Sequence, residues 1–444
     1  MAEAHKRIEA SHMRLTADPE NADLHMERAQ ALHAFGNLAS NRIAYEQAVH
    51  SYTRTIELKP EDPEPRLGRG KDRLHLGQVD AALADFEEAV RLDPGLRNAH
   101  VWRGIALNSL GRHAEALDAF DAALEIAGES AELHYNRGRA LAKLGRHGEA
   151  ADSLRRATEL DPEGLFNWYM LAAVLHGLDR YGEALDAAER ALSLAPNNAG
   201  ILFLVGDTLN RLGRHDEALG HIDESLRHDP DNLDALTTKG LVLFMLGRHA
   251  ESLSLSDSLV SEHPDSAKLR LCRAWPLQSL GRHDEALSTC RLALKLEPAN
   301  PEALRLEGML LHNAGHHDEA LKSLNRAISK APGDAELHTA RAHSLFLLGQ
   351  YAESAAAARR AIELDPKNAH AHKSLGSTLF LLGDNDAALA SLERSLSLDP
   401  GLAPSHLGKG LVLRALGLND TARMSFERAT ELDPSLAAHV PRKP

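Results

Sequence analysis

Residues 97–130 read RNAHVWRGIALNSLGRHAEALDAFDAALEIAGES, and this stretch decides the fold. Leu107, Leu110, Leu117, Leu124 and Ile126 fall at helical spacing around two small residues, Gly104 and Ala116. Between the two apolar sets lies Gly111-Arg112-His113. A glycine just past the last apolar residue of a helix is a left-handed C-cap. The stretch therefore predicts a helix, a tight turn and a second helix.

The pattern recurs every 34 residues. Pro60, Pro94, Pro162, Pro196, Pro230, Pro264, Pro298, Pro332, Pro366, Pro400 and Pro434 keep that period, with Gly128 standing in for one member. A second column holds Gly70, Gly104, Gly138, Ala172, Gly206, Gly240, Ala274, Gly308, Ala342, Gly376 and Gly410. A third holds Ala82, Ala116, Ala150, Ala184, Ala218, Ser252, Ala286, Ala320, Ser354, Ala388 and Ala422. Two columns of small residues mean two helices whose backbones approach closely, where a larger side chain would overpack the crossing. Turns such as Gly213-Arg214-His215 and Gly281-Arg282-His283 repeat the first one, and acidic pairs such as Asp216-Glu217 then open the second helix at its positive dipole end. That helix stops at Asp-Pro, because proline cannot continue it and disfavours helical geometry just before it. No strand is expected. One hairpin cannot bury both its faces, whereas stacked hairpins can, so the expectation is an all-α solenoid with one elongated interior.

Over residues 22–436 this unit resembles that of the tetratricopeptide repeat (TPR) family: small eighth and twentieth residues, proline at the thirty-second, and the run Glu115-Ala116-Leu117. The resemblance implies a right-handed superhelix of about twelve helix-turn-helix units, with a concave groove lined by the first helices where protein segments bind. It places Trp102, Tyr135, Asn136, Arg139, Phe166, Tyr169, Met170, Phe203, Asp207, Asn210, Arg211, Phe244 and Trp275 on that groove, along with Met245, His343, Phe346 and Phe380. Lys71, Asn136 and Lys373 are scattered among different repeats, so the family's carboxylate clamp for chaperone tails is not assembled. In one departure, the aromatic that usually precedes the second helix is mostly histidine here. These histidines read as turn-packing residues.

The reading divides the chain into an N-terminal capping helix (1–21), a first, expanded unit (22–62), eleven 34-residue units (63–436) and a short tail (437–444). In the expanded unit Ala48 arrives seven residues late, which predicts either a longer loop around Gly36 to Asn41 or an early second helix. Pro276 falls inside a first helix, and Ser252 and Ser256 replace apolar residues just before it, which predicts a kink or weak joint. After Pro434 too little chain remains for a full solvating helix. Ser435 to Val440 then forms a stub, or the terminal face pairs with a second copy in a homodimer through the C-terminal repeat.

Composition narrows the function. Only 4% of residues are aromatic against 43% hydrophobic, so Leu and Ala build the interior. A net charge of −14 argues against a nucleic-acid partner. Cys272 and Cys290 make no disulfide framework and suit a reducing compartment. There is no signal-like apolar N-terminal segment and no run of about 18 apolar residues, so no membrane role is expected and the cytoplasm is the expected location. No phosphate loop, zinc-helix motif, dinucleotide fingerprint or nucleophile elbow occurs. His312, His316 and His317 cluster, but helix periodicity does not hold across the turn after Gly315, so no metal site is expected. The expectation is a non-enzymatic scaffold or adaptor, without cofactor, that binds a protein or peptide segment. The alternative is a regulatory or substrate-recruiting subunit of a separate enzyme.

Overall fold

The computed structural model describes residues 2–441; residues 442–444 of the expected tail lie outside the described residues. Among the described residues there are 25 α-helices, one terminal 3-10 helix and no strand. The chain forms two compact units, residues 1–232 and 233–444.

The first unit opens with α1 (Ala2–Ala17), followed by six hairpins: α2 (Ala22–Ala39) with α3 (Arg42–Leu58), α4 (Glu64–His75) with α5 (Val79–Leu92), α6 (Arg97–Ser109) with α7 (His113–Ala127), α8 (Ala131–Lys143) with α9 (His147–Leu160), α10 (Leu165–Gly177) with α11 (Tyr181–Leu194), and α12 (Ala199–Arg211) with α13 (His215–His228). The second unit has six more: α14 (Leu233–Met245) with α15 (His249–Glu262), α16 (Ala267–Ser279) with α17 (His283–Leu296), α18 (Pro301–Asn313) with α19 (His317–Lys330), α20 (Ala335–Leu347) with α21 (Tyr351–Leu364), α22 (Ala369–Leu381) with α23 (Asn385–Leu398), and α24 (Ala403–Ala415) with α25 (Asn419–Leu432). The 3-10 helix Pro434–His439 follows.

Each turn inside a hairpin closes in one way. Gly111 has φ of 76°, its N–H donates to the Asn108 carbonyl at 3.1 Å, and the Arg112 N–H reaches back to the Leu107 carbonyl at 2.9 Å. This satisfies the orphan carbonyls of α6. Asp179 takes the same left-handed place without being glycine, at φ 58°. After the turn, Arg112 grips Glu115 through two hydrogen bonds of 2.7 and 2.6 Å, and Arg146–Glu149, Arg214–Glu217 and Arg282–Glu285 repeat the grip. These pairs are exposed, so water and salt screen them and each adds little to stability.

Several turns between hairpins are tied down by a donor six residues beyond the proline. The Pro94 carbonyl accepts from His100 Nε2 at 2.9 Å, and the Pro162 carbonyl accepts from Trp168 Nε1 at 2.9 Å. Arg270 does the same for Pro264 at 2.6 Å, and His406 lies 3.0 Å from the Pro400 carbonyl. Different side chains serve here because each supplies an N–H at the same reach.

The small columns have a definite partner. A Cβ on Gly70, Gly104 or Gly410 would sit 2.4–2.5 Å from the ring of Phe86, Phe120 or Phe426. On Gly138, Gly206, Gly308 and Gly376 it would meet Leu154, Ile222, Leu324 and Leu392 at 2.7–2.8 Å. The large residue always lies 16 positions after the glycine. Where the column holds alanine instead (Ala172, Ala274, Ala342), the residue 16 positions on is small: Ala188, Cys290, Ala358. Ser252 and Ser354, in the third column, donate to the carbonyls of Gly240 and Ala342 at 2.7 and 2.8 Å. A buried hydroxyl is tolerated there because it finds a backbone acceptor.

The irregular places of the sequence take definite forms. In the first hairpin only Ser40, at φ 48°, and Asn41 separate the helices. The extra residues lengthen α2 to 18 and α3 to 17; α3 begins at Arg42, well ahead of Ala48, whereas α7 begins at His113, close before Ala116, so the second helix starts early and no longer loop forms. α16 carries Pro276 buried within it and keeps the 13-residue length of its neighbours α14 and α18. At the chain's end, Val440 packs beside Leu413, Ala422 and Phe426, so the residues after α25 cover part of the last hairpin.

Candidate functional site

The first helices carry most of the aromatic side chains singled out from the sequence. Adjacent first helices meet through residues 31 positions apart. In the first unit Lys71 Nζ lies 5.2 Å from the centre of the Trp102 ring, and His176 Nε2 lies 3.2 Å from an Asp207 carboxylate oxygen. In the second unit Phe244 and Trp275 are 6.4 Å apart, and His312 and His343 are 4.6 Å apart. The offset follows from geometry: one repeat is 34 residues, and a residue one helical turn earlier on the next helix faces back.

Trp102 is half-buried against the apolar interior of α5, α6 and α7, with Phe86 at 6.4 Å. Tyr135 is half-buried and carries the Arg139 guanidinium 5.6 Å from its ring centre. Among the described residues neither Lys71 nor Arg139 has a carboxylate within ion-pair distance, whereas many arginines do. Burial lowers the Lys71 pKa, against the opposing pull of Glu64, Asp72 and Glu132.

α10 exposes two aromatic side chains on this face. Phe166 is 67% exposed and Tyr169 36%, with Met170 half-buried beside them. Phe203 and Asp207 on α12 are half-buried and Arg211 is exposed. Phe244 and Trp275, in the second unit, are half-buried, and the Arg305 guanidinium stands 5.2 Å from the Trp275 ring centre. Met245 is 54% exposed, and Phe346 and Phe380 are half-buried.

Two of the residues assigned to the groove spend their side chains within the chain. Asn136 is buried, and its Nδ2 donates to the Glu132 carbonyl at 3.0 Å. Asn210 is buried too, with Oδ1 3.0 Å from His215 Nδ1, and Asn108 and His113 repeat this bond at the same distance. The turn histidines here orient an asparagine of the first helix.

Sequence reasoning did not connect two further groups. One is Lys71 over Trp102. The other is the set His312, His343 and Lys373 on α18, α20 and α22; the 31-residue offset between His312 and His343 was the available signal. Among the described residues no group of three or more His, Cys, Asp or Glu is placed to hold a metal ion, and no helix is long and apolar enough to cross a membrane.

Comparison with known proteins places this arrangement. A tetratricopeptide repeat family model matches residues 2–63, 67–131, 169–232, 206–267 and 339–403, and related models of the same description match 131–163, 277–343 and 403–436. The small glutamine-rich tetratricopeptide repeat-containing protein 2 of Mycosarcoma maydis is 33% identical over 82 residues, 18% of this chain and 23% of that protein. The chain thus spans about a quarter of that relative's length. Among solved structures, YrrB, a TPR protein with an unusual peptide-binding site, is 26% identical (TM-score 0.39; 42% of this chain, 97% of that one). Cut9, in the APC/C Cut9–Hcn1 hetero-tetramer, is 16% identical (TM-score 0.47; 96% and 89%), and yeast Tom70 is 18% identical (TM-score 0.44; 94% and 99%). With family models spread over nearly all of its hairpins, this chain belongs to the tetratricopeptide repeat family.

Proposed function

We propose that this chain is a non-catalytic scaffold or adaptor that binds a protein segment on the first-helix face of residues 102–211. TPR proteins typically mediate protein–protein interactions. The observation that carries the reading here is α10. Phe166 and Tyr169 are exposed beside the half-buried Met170 on one helix. Exposed aromatics held on a rigid helix bury large area at low entropy cost, which is the profile of an interface anchor. Arg139, with no carboxylate at ion-pair distance among the described residues, adds a cation over the Tyr135 ring. The partner segment is then one with apolar anchors and an acidic residue.

Affinity capture with the wild type and a Phe166→Ala/Tyr169→Ala variant tests this. The variant is expected to lose the partner, or to weaken it at least tenfold, with an unchanged circular dichroism spectrum and melting temperature. Equal capture of the same proteins overturns the groove assignment.

For the last hairpin we propose self-association. Met424 is 65% exposed and Leu418 51%, beside a hollow of about 620 Å³ lined in part by Phe426, Thr430, Ala437 and Val440. A Met424→Glu variant that sediments at the same mass as the wild type removes this reading. The unpaired Cys272 and Cys290 support the cytoplasm as the setting.

A further inference from the structure

We propose that His312, His343 and Lys373 form an anion-receiving site on the second unit, which takes a carboxylate or phosphate group of a docked segment. The proposal rests on the groove reading for the kind of ligand, and on its own geometry for the site. The three residues come from the first helices of three consecutive hairpins, α18, α20 and α22. The His312 ring lies 4.6 Å from the His343 ring and 5.2 Å from that of His317, at the start of α19. Its Nδ1 is fixed by the Ser344 hydroxyl at 2.9 Å.

The remaining polar atoms have no partner. His312 Nε2, both ring nitrogens of His343 and Lys373 Nζ make no hydrogen bond or ion pair among the described residues, and none of them is sealed from solvent. These are donors, or groups that become donors on protonation, and the Lys373 charge is near enough to act on both imidazoles.

The charge around them is of one sign. The groups that act on His343 are Lys373, His312, His317 and His370, all bases, and those that act on His312 are His317 and Lys373. No carboxylate stands within ion-pair distance of any of the five among the described residues. This is unusual in a chain of net charge −14, where Arg305 on the same helix as His312 has Glu336 at 3.5 Å. With the site empty, burial and like charge hold the imidazoles neutral: His343 is pushed down to about 3, and His312 and Lys373 are lowered as well. An anion reverses both effects, because an opposite charge favours the protonated form. Binding therefore takes up protons and strengthens as pH falls from 8 to 6.

The test uses the full chain with 15N-labelled histidine, its His312 and His343 signals assigned from His312→Gln and His343→Gln. Sulfate, whose charge is constant over this range, stands for a phosphate group, and a Glu-Glu-Glu tripeptide supplies carboxylates. At least one probe is expected to shift both histidine signals saturably, to bind at least threefold tighter at pH 6 than at pH 8, and to raise an apparent histidine pKa by one unit or more. Lys373→Met abolishes the saturation and Lys373→Arg keeps it, both with the wild-type melting temperature. Sulfate acting alone assigns the site to phosphate, and the tripeptide acting alone assigns it to a carboxylate. No saturable shift with either probe, or equal shifts in Lys373→Met, overturns the site. The result does not depend on partner capture at Phe166 and Tyr169, so the two readings fail separately.

Discussion

Gly104 lies so close beneath the Phe120 ring that a Cβ on it would stand 2.5 Å from Cε1. The two residues form the crossing of α6 and α7, and both are fully buried or nearly so. Gly104→Ala must push the ring away, and overpacking of this kind costs about 1–3 kcal/mol. The loss is expected in urea unfolding. If it arises at the ring, Gly104→Ala combined with Phe120→Ala loses less than the sum of the two single changes. Strict additivity would mean that the crowding lies elsewhere.

Gly240 is the exception. Sixteen positions on stands Ser256, and the nearest atom to a Cβ on Gly240 is Leu255 Cδ2 at 3.9 Å. There is room for a methyl group, and alanine is the better helix former by about 0.8–1 kcal/mol. Gly240→Ala is expected to raise stability by up to about 1 kcal/mol in the same assay. A loss as large as that of Gly104→Ala would show that free space does not govern this column.

The contrast marks how far the sequence could be read. The two small columns, the glycine turns and the Asp-Pro stops carry local physics, so the hairpins were legible from them. The partner of each glycine was harder to see, because the residue 16 positions on varies among Phe, Leu and Ile and looks like any apolar site. Asn136 and Asn210 show the limit at the candidate site. A position assigned to the groove by repeat index is turned inward when its side chain finds the Glu132 carbonyl or His215 nearby. Phe166 and Tyr169, assigned to the same face, keep their rings exposed. The expanded first hairpin left two alternatives open, because added residues can lengthen a helix as well as a loop, and α3 takes the first course by starting early.

His33 and Asp72 pair across the adjacent first helices α2 and α4. His33 Nδ1 lies 2.6 Å from Asp72 Oδ1, and the Asp72 carboxyl is fully buried with its second oxygen unpartnered. Burial raises the Asp72 pKa against the pull of His33 and His75. The equivalent places in later repeats hold Ala106, Val174, Val242 and Val412, so the fold does not need a charge there. Removing one partner strands a buried charge, at about 3–5 kcal/mol, whereas replacing both with apolar residues is often neutral. His33→Leu is expected to destabilise the first unit strongly in thermal unfolding, and His33→Leu/Asp72→Val to restore most of the loss. A double variant no better than the single one would refute this.

Pro276 stands at the place held by Val242 and Val412. It has no N–H to give to the carbonyl four residues back, at Cys272, and a helix-interior proline costs about 3 kcal/mol when nothing relieves it. Pro276→Val is expected to stabilise the second unit by up to that amount and to slow amide exchange in α16. Uniform exchange protection across residues 245–285 in the wild type would remove the weak joint that the proline implies.

His343 sets a pH dependence of known sign. In the fold its pKa is pushed down to about 3, first by burial and then by Lys373 and the neighbouring histidines. In the unfolded chain a histidine titrates near 6.5. Between those values the unfolded chain binds the proton and the folded chain does not, so the stability is fully present above about pH 6.5 and is lost as pH falls below it. The slope from one such group is at most about 1.4 kcal/mol per pH unit. In buffers without multivalent anions, the wild type is expected to lose stability from pH 6.5 to 5 faster than a His343→Phe variant, and added sulfate to narrow the gap. Parallel stability curves for the two proteins over that range would show that the imidazole takes up its proton freely in the folded chain.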